Sequence, residues 1–408
     1  MPQANVFYFN PTCELAVSNG SFSYRPPLLL QEMESDLSIL PFVFGNSSDY
    51  VLTDNPPSSE FLLRLQNAGF DLPKFIGLTK LEELPEGTIK SILPWGWSPA
   101  AHFKLKNLKQ KSANEFKTSK IFNWEEGHQL LFERKTSLDF LKKLISGNPP
   151  DWFISNTMIG EIVSSCEEID DRLSFGEVVI KAPLSSSGRG IQIIRKAKLN
   201  ESNKQWISGV LKKQKYLIIE PFLEKMVDLS FQFQIKSKTD IKYLGYSVFE
   251  TNTNGQYRGT LIHPDSQQIL QGLNAEKFEE IVESSAELIK KGLLNSVYAN
   301  LHCGYLGVDS MLFKAGGQIK MQPCIEINSR MNMGILTLLV ERKIHRDAKG
   351  KLELFYGNRG EFYNFSTSQL KKNPLKLKDG KLFQGFLPLV EPTPNKKFGS
   401  YIDLGFAK

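Results

Sequence analysis

Basic and small residues follow a β-branched run in the segment VVIKAPLSSSGRGI. Lys181 ends the run, and Arg189 lies in the Ser/Gly stretch that comes next. Small residues let backbone N–H groups approach anionic oxygens, and Lys and Arg side chains supply positive charge. The segment has neither the GxxxxGK[ST] pattern of a Walker A loop nor a complete dinucleotide fingerprint. It predicts a phosphate-covering loop of another kind, with a ligand-free hairpin loop as the alternative.

A second segment, GVDSMLFKAGGQIKMQPCIEINSR, reads as a β-hairpin. The glycines at 316–317 suit a two-residue turn, which pairs Ala315 with Gln318. Counting outward from the turn in the same register predicts that Asp309 lies opposite Cys324.

Three oxygen-bearing side chains of this hairpin, Asp309, Glu326 and Asn328, would then project from one face, because side chains alternate along a strand. Two carboxylates and an amide from neighbouring strands are typical ligands of one or two Mg²⁺ ions. The alternative is a pair of exposed strand carboxylates. The apolar residues around them favour the metal site.

The first part of the chain supplies elements of an α/β domain. Short apolar runs at 6–9, 49–52, 74–78 and 91–93 predict buried strands, and residues 60–68 have helical spacing. Ser98 followed by Pro99 predicts a helix start. We expect an N-terminal α/β domain over residues 1–120.

The elements that position the chemistry follow this domain. Apolar spacing predicts helices at 136–146, 201–213 and 275–291, and strands at 178–183, 191–194, 216–220 and 229–235. We expect a central nucleotide- and metal-binding region over 121–345. Residues 346–408 would form a C-terminal extension that packs on the core.

These motifs, in this order, resemble the ATP-grasp superfamily over residues 131–339. The Lys181 strand with its Ser/Gly loop resembles the phosphate-covering hairpin, YLIIEPFLEKMVDLSFQF resembles the adenine and ribose segment, and EINSR resembles the metal strand. The resemblance implies the α/β (α+β) ATP-grasp fold, preceded by a pre-ATP-grasp domain.

The resemblance also implies roles for individual residues. The residues implied to contact ATP phosphates are Lys135, Lys181, Ser185, Ser186, Ser187, Gly188, Arg189 and Gly190. Those implied to bind adenine are Glu220, Phe222 and Leu223, and Asp228 would bind the ribose. Asp309, Glu326 and Asn328 would hold Mg²⁺, and Arg330 would act in catalysis beside Lys181. Lys135, Glu220 and Asp228 each have a surface role as the alternative.

One position departs from the family pattern. Many members have arginine two residues before the first metal aspartate, whereas this chain has Gly307. Arg258, in GQYRG, is a candidate to replace it in catalysis, and a solvated turn arginine is the alternative.

The reaction implied is ATP- and Mg²⁺-dependent activation of a carboxylate as an acyl phosphate, which an amine or similar nucleophile attacks. Mn²⁺ is expected to substitute for Mg²⁺. The partners are ATP and an unidentified small-molecule or peptide carboxylate and nucleophile, with a homodimer left open. A kinase-like phosphotransferase and a non-catalytic nucleotide-binding protein are the alternatives.

Composition excludes other classes. The 50 basic and 44 acidic residues give a net charge of only +6, so nucleic acid is not an expected partner, and the lysines at 104–120 read as a solvated face. The 4 cysteines lack CxxC spacing. No stretch approaches the roughly 18 apolar residues of a membrane span. We expect a cytoplasmic protein that does not bind membranes.

Two features of the N-terminal domain stay without a role. Cys13 in NPTCEL is a candidate nucleophile, but a small core residue is the more common role for cysteine. Trp95 and Trp97 would line a substrate cleft or pack in the core.

Overall fold

Strands and helices alternate over the N-terminal part of the chain, as the sequence predicts. The computed structural model describes residues 3–147, 149–185, 190–196, 198–252, 255–264, 269 and 275–405. Strands β1 (Ala4–Tyr8), β2 (Tyr50–Leu52), β3 (Lys74–Ile76) and β4 (Ile89–Pro94) form a parallel sheet in the order β3-β2-β1-β4. The helices are α1 (Cys13–Asn19), α2 (Leu28–Asp36), α3 (Ser59–Asn67), α4 (Leu78–Glu82), α5 (Pro99–Lys104), α6 (Lys106–Gln110) and α7 (Asn114–Lys117). A 3-10 helix covers Leu40–Phe44.

Helix α5 begins where the sequence predicts. The Ser98 hydroxyl accepts a hydrogen bond from the Ala101 N–H at 3.2 Å, and Pro99 takes the first helical position. The cap therefore starts the helix shortly after β4 ends at Pro94, at the carboxyl edge of the parallel sheet.

A small antiparallel sheet follows in the chain. Helix α8 (Arg134–Ser146) lies between 3-10 helices at Glu126–Phe132 and Asn156–Met158. Strands β5 (Glu161–Val163), β6 (Val178–Lys181), β7 (Ile191–Ile194) and β8 (Leu217–Pro221) are ordered β5-β8-β6-β7. Helices α9 (Cys166–Leu173) and α10 (Glu201–Gln214) cover this sheet.

The largest sheet has nine strands. They are β9 (Glu224–Ile235), β10 (Ile241–Thr251), β11 (Tyr257–Ile262), β12 (Gly304–Ala315), β13 (Gln318–Asn328), β14 (Gly350–Tyr356), β15 (Lys376–Lys378), β16 (Lys381–Pro388) and β17 (Phe398–Leu404). Their order is β13-β12-β9-β10-β11-β14-β17-β16-β15. The accompanying helices are α11 (Ala275–Leu294), α12 (Val297–Leu301), α13 (Met333–Glu341) and α14 (Glu361–Lys372).

The C-terminal strands are continuous with this sheet, because β14 pairs with β11 across the expected boundary at residue 346. They also share a hydrophobic core with the parallel sheet β1–β4 and its helices, which are called the N-terminal unit below. Phe7 and Trp95 of this unit belong to the same cluster as Phe386 and Tyr401. The three domain ranges 1–120, 121–345 and 346–408 stay predictions. None of the helices in the described ranges is long and apolar enough to cross a membrane.

Candidate functional site

Lys181 lies at the end of β6 and forms an ion pair with Glu220 on β8. Its Nζ is 2.6 Å from Glu220 Oε2, and the Lys181 side chain is only 7% exposed. The register pairs Lys181 with Ile218 and Glu220 with Val179, so the two charged side chains are diagonal neighbours on one face. The structure therefore brings the predicted adenine-binding carboxylate to the predicted phosphate-binding lysine.

Ser185 and Gly190 form the base of the Ser/Gly loop. The Ala182 N–H donates to the Gly190 carbonyl at 2.8 Å. A Cβ at Gly190 would lie 2.3 Å from the Ser185 Cβ, so only glycine fits at this approach. The tip of the loop, Ser186, Ser187, Gly188 and Arg189, lies outside the described residues, and its contacts with phosphate stay a prediction.

Arg134, the first residue of α8, joins this loop to the hairpin of β12 and β13, which carries Asp309 and Glu326 and is called the acidic hairpin below. Its Nη1 donates to the Ala182 carbonyl at 2.7 Å and to the Ser185 hydroxyl, and its Nη2 lies 3.3 Å from Glu326 Oε1. The side chain is 4% exposed, so water screens its charge weakly. The sequence pattern did not single out this residue.

Lys135 points away from the site. Its side chain is 47% exposed, and its Nζ lies 3.9 Å from Asp139. Arg134 shares a helix face with Leu138 and Leu141, whereas Lys135 shares a face with Asp139. The phase of the apolar stripe is therefore the signal that distinguishes the inward cation from the outward one.

The acidic hairpin has a different register from the predicted one. Asp309 on β12 pairs with Glu326 on β13, not with Cys324. The register shifts because Pro323 has no N–H to give to the ladder, and its carbonyl accepts instead from the Ser310 hydroxyl at 2.8 Å. Since the shift is an even number of residues, the acids keep their common face.

Asp309 is the centre of a hydrogen-bonded cluster. Its Oδ1 accepts from the Ser230 hydroxyl at 2.7 Å, and its Oδ2 accepts from the Asn328 amide at 2.9 Å. Burial, helped by the Glu326 charge, raises the pKa of Asp309 to about 7, although both hydrogen bonds and Arg330 oppose the shift.

Arg330 connects this cluster to the N-terminal unit. Its Nε donates to Glu14 Oε1 at 2.7 Å, and its Nη2 donates to Asn328 Oδ1 at 3.0 Å. Glu14 lies on α1, directly after the NPT turn that follows β1. Its place at the carboxyl edge of a parallel sheet, where ligands of α/β proteins bind, is the sequence signal that could have pointed to it.

Gly307 makes room for a buried amide network. A Cβ at this position would lie 2.4 Å from Asn332 Nδ2 and 2.9 Å from Gln232 Oε1. The Asn332 amide donates to Gln232 Oε1 at 3.0 Å, and Gln232 is fully buried and donates to the Ser247 hydroxyl at 3.3 Å. No larger residue, arginine included, fits at position 307 without displacing this network.

Arg258 is exposed on β11, and β10 and β9 separate that strand from β12. The charge of Arg258 acts instead on Tyr401 of β17, where it partly opposes the rise in the pKa of Tyr401 that burial causes. Within the described residues, no hydrogen bond or ion pair joins Arg258 to Asp309 or Glu326. The structure therefore does not bring it to the acidic hairpin.

Phe222 and Leu223 link β8 to β9. The Phe222 N–H donates to the Glu177 carbonyl at 2.8 Å, so it is not available to a base. No backbone carbonyl of the described residues accepts from the Leu223 N–H. Of these two backbone N–H groups, only that of Leu223 is unpaired among the described residues, and the reading of adenine by the backbone of both stays a prediction.

Asp228 lies on β9, on the face that carries Ser230 and Asp309. It accepts from the Thr251 hydroxyl at 3.1 Å and forms an ion pair with Lys225. The predicted ribose-binding residue and the acidic cluster therefore face the same side of the large sheet.

The N-terminal candidates are buried. Burial raises the pKa of Cys13 to about 12, which favours the thiol form and the role of a small core residue. Trp95 and Trp97 are 3% and 9% exposed, in agreement with core packing. Between them, the Gly96 carbonyl accepts from the Asn10 amide at 2.7 Å.

The oxygen cluster fits a hard divalent cation. Asp309, Glu326 and Asn328 present the ligand types that Mg²⁺ prefers. Burial and the Glu326 charge raise the pKa of Asp309, and a divalent ion would favour its ionised form. Among the described residues, no three or more His, Cys, Asp or Glu side chains come together in a way that could hold a metal ion by themselves.

Three sheets define the fold class of the chain. They are a parallel N-terminal sheet, a small antiparallel sheet that carries Lys181 and the Ser/Gly loop, and a large antiparallel sheet that carries the acidic hairpin. The chain has the ATP-grasp fold. Biotin carboxylase from Campylobacter jejuni, solved as a β-γ-ATP complex, is similar with a TM-score of 0.52 and 10% identity, covering 99% of this chain and 88% of that chain. N5-carboxyaminoimidazole synthetase from Staphylococcus aureus has a TM-score of 0.49 and 14% identity, covering 99% and 94%.

One curated protein has a similar sequence. It is the butirosin acyl-carrier protein–L-glutamate ligase of Niallia circulans, which is 25% identical over 309 residues. The match covers 72% of this chain and 64% of the relative, so the chain spans less than two thirds of that protein. No known protein family profile matches the chain.

Proposed function

We propose that this chain is an ATP- and Mg²⁺-dependent ligase, which activates a carboxylate as an acyl phosphate for attack by an amine or a similar nucleophile. The observation that carries the proposal is the line of contacts from the Lys181 strand through Arg134 to Glu326. Buried cations beside hard oxygen ligands are what a triphosphate and its divalent ions require. The ligase named as a relative in sequence supports the same class of reaction.

The nucleotide would lie between the small sheet and the large one. Lys181 and Arg134 would bind phosphate oxygens, with Arg134 taking the role that the resemblance gives to Lys135. The Leu223 N–H and Glu220 would bind adenine, which requires Glu220 to leave or share its contact with Lys181. Asp228 would hold the ribose, and the loop from Ser185 to Gly190 would close over the phosphates.

The metal ligands would be Asp309, Glu326 and Asn328. Bound Mg²⁺ supplies positive charge that compensates the phosphate oxygens and orients the γ-phosphate. The number of ions and the substitution by Mn²⁺ are further predictions.

The reaction would proceed in two steps. A substrate carboxylate oxygen attacks the γ-phosphorus, the bond to the β–γ bridging oxygen breaks, and ADP leaves. The nucleophile then attacks the acyl carbon and releases phosphate. Arg330, held by Glu14 and Asn328, would neutralise the charge on the carboxylate and on the acyl phosphate, while Lys181 compensates the charge that builds on the phosphates.

The test is ADP and phosphate release by the full chain with Mg²⁺, L-glutamate among a panel of carboxylates, and a panel of amines. Glu326→Gln is expected to lower kcat at least about 100-fold, because it removes a charged metal ligand. Glu279→Gln, at an exposed position of α11, is the matched control and should retain turnover. Full turnover by Glu326→Gln would remove the metal site from the mechanism.

The products separate the alternatives. A stable phosphorylated product without free phosphate would indicate a kinase-like enzyme, and ATP binding without turnover would indicate a binding protein. The homodimer, the cytoplasmic location and the absence of nucleic-acid and membrane partners also stay predictions.

A further inference from the structure

The N-terminal unit contains a cavity of about 650 Å³ at the carboxyl ends of its parallel strands. Asn10 and Thr12 line it after β1, residues 53–55 after β2, and Ser98 after β4. Ligands of open α/β sheets bind in this crevice, and the volume is typical of a small-molecule site. The residues proposed for phosphates and metal are not part of its lining.

Glu34 gives the cavity wall a carboxylate that contacts no cation among the described residues. Its Oε1 accepts from the Thr12 hydroxyl at 2.5 Å and from the Thr12 N–H at 3.4 Å. Its Oε2 has no hydrogen-bond partner among the described residues. Burial raises the pKa of Glu34, although Thr12 and the more distant Lys104 oppose the shift. A ligand that brings an ammonium group would remove this imbalance.

Basic side chains also line this cavity. Lys104 and Arg25 both line it, and the Lys104 Nζ donates to the Tyr8 hydroxyl at 3.1 Å and lies 4.5 Å from the centre of the Tyr8 ring. Asp54 adds a second carboxylate to the lining. The cavity therefore offers acceptors for a cation and donors for an anion within reach of one small molecule.

We propose that this cavity binds an amino acid, whose ammonium group contacts Glu34 while its carboxylate faces Lys104. A zwitterion matches both signs of charge, whereas a nucleotide would place its phosphates against Glu34 and Asp54. The cavity also lies close to Arg330, because Cys13 lines the cavity and both Cys13 and Arg330 pack against Gly96. A Cβ added to Gly96 would lie 2.3 Å from Cys13 Sγ and 3.2 Å from Arg330 Cβ. The role of the amino acid as a ligase substrate rests on the proposed function, but its binding does not.

The test is calorimetry on the full chain without nucleotide, with the standard L-amino acids as probes. L-glutamate is compared with glutarate, which lacks the ammonium group, and with 4-aminobutyrate, which lacks the α-carboxylate. At least one amino acid is expected to bind with a Kd below about 1 mM, and its deaminated analogue at least about tenfold more weakly. Glu34→Gln should weaken binding at least about tenfold, since it keeps the acceptor for Thr12 and removes the charge.

Glu86→Gln, at an exposed carboxylate of the same unit, is the control and should leave binding unchanged. Asp54→Asn, on the loop after β2, is the second variant, because its exposed position tolerates substitution if Glu34→Gln fails to fold. Mg²⁺-ATP binding is measured on the same samples. Nucleotide binding without any amino-acid binding would overturn this inference alone, and so would equal affinity in Glu34→Gln. Amino-acid binding without nucleotide binding would overturn the proposed function and leave the cavity assignment standing.

Discussion

Arg330 and Glu14 form an ion pair of 2.7 Å that joins the acidic hairpin to helix α1, across 316 positions of the chain. The side chains are 18% and 11% exposed. Burial is the largest single effect and disfavours the charged guanidinium, but the charge and hydrogen bond of Glu14, together with other neighbours such as Asp309, outweigh it and raise the pKa of Arg330. The N-terminal unit thus holds a candidate catalytic residue in place.

Breaking this pair from one side should cost more than removing both charges. Glu14→Leu leaves a buried guanidinium without its partner and is expected to lower the free energy of unfolding by about 3–5 kcal/mol. The double variant Glu14→Leu with Arg330→Met should recover part of that loss. Urea unfolding of the parent, Glu14→Leu, Arg330→Met and the double variant gives the coupling energy. Losses that add within about 0.5 kcal/mol would contradict a stabilising contact between the two side chains.

Two neighbouring cations of α8 should differ in their effect on nucleotide binding. Arg134→Gln is expected to weaken Mg²⁺-ATP binding at least about tenfold, because it removes a buried charge between the Ser/Gly loop and Glu326. Lys135→Gln should change the affinity by less than about twofold, since that side chain pairs with Asp139 at the surface. Calorimetry measures both.

Arg134→Lys is the companion variant, because it keeps the charge and loses the forked geometry. It should retain an intermediate affinity, with a thermal unfolding midpoint close to that of the parent chain. A larger loss in Lys135→Gln than in Arg134→Gln would restore the assignment implied by the resemblance.

Local patterns predicted the elements that local forces determine. The apolar runs of the first hundred residues and the Ser98–Pro99 helix start depend on neighbours in the chain, and both appear where they are expected. The assignment of Lys135 reflects a choice between adjacent cations that the helix phase decides, and Leu138 already carried that information.

Other features depend on contacts that a one-dimensional pattern does not contain. The register shift at Pro323 pairs Asp309 with Glu326, and counting residues outward from the turn does not predict this shift. The contact between Glu14 and Arg330 forms only when the N-terminal unit packs on the large sheet. The amide network behind Gly307 likewise joins strands that are far apart in the chain.

Gly307 should tolerate no side chain. In Gly307→Ala the new methyl group would lie 2.4 Å from Asn332 Nδ2, and the crowding is expected to lower the free energy of unfolding by about 1–3 kcal/mol. Gly209→Ala is the matched control: an added Cβ there meets no atom within 4 Å, and alanine favours the helix by up to about 1 kcal/mol. Urea unfolding compares the two variants. Equal stability of Gly307→Ala and the parent would show that the amide network yields easily.

Buried histidines should make the fold sensitive to acid. His102, His128 and His302 are 5%, 4% and 6% exposed. Burial lowers the pKa of all three rings, that of His102 to about 3 with help from Lys109 and that of His302 to about 4. In the folded chain these rings are therefore neutral at a pH where an unfolded histidine is already protonated.

The sign of the pH dependence follows from proton binding. An unfolded histidine binds a proton below about pH 6.5, so between about pH 6.5 and 4 the unfolded chain holds more protons and the free energy of unfolding falls as the pH falls. His302→Gln should remove about one proton from that slope and on the order of 2 kcal/mol of the acid loss, because glutamine does not titrate. The glutamine amide can still donate to the Tyr305 carbonyl, which accepts from His302 Nε2 at 2.9 Å, so the variant is expected to keep the fold. Urea unfolding at several pH values measures the difference between variant and parent. An identical slope in the two proteins would mean that His302 takes up its proton without unfolding, and that its burial is looser than the structure describes.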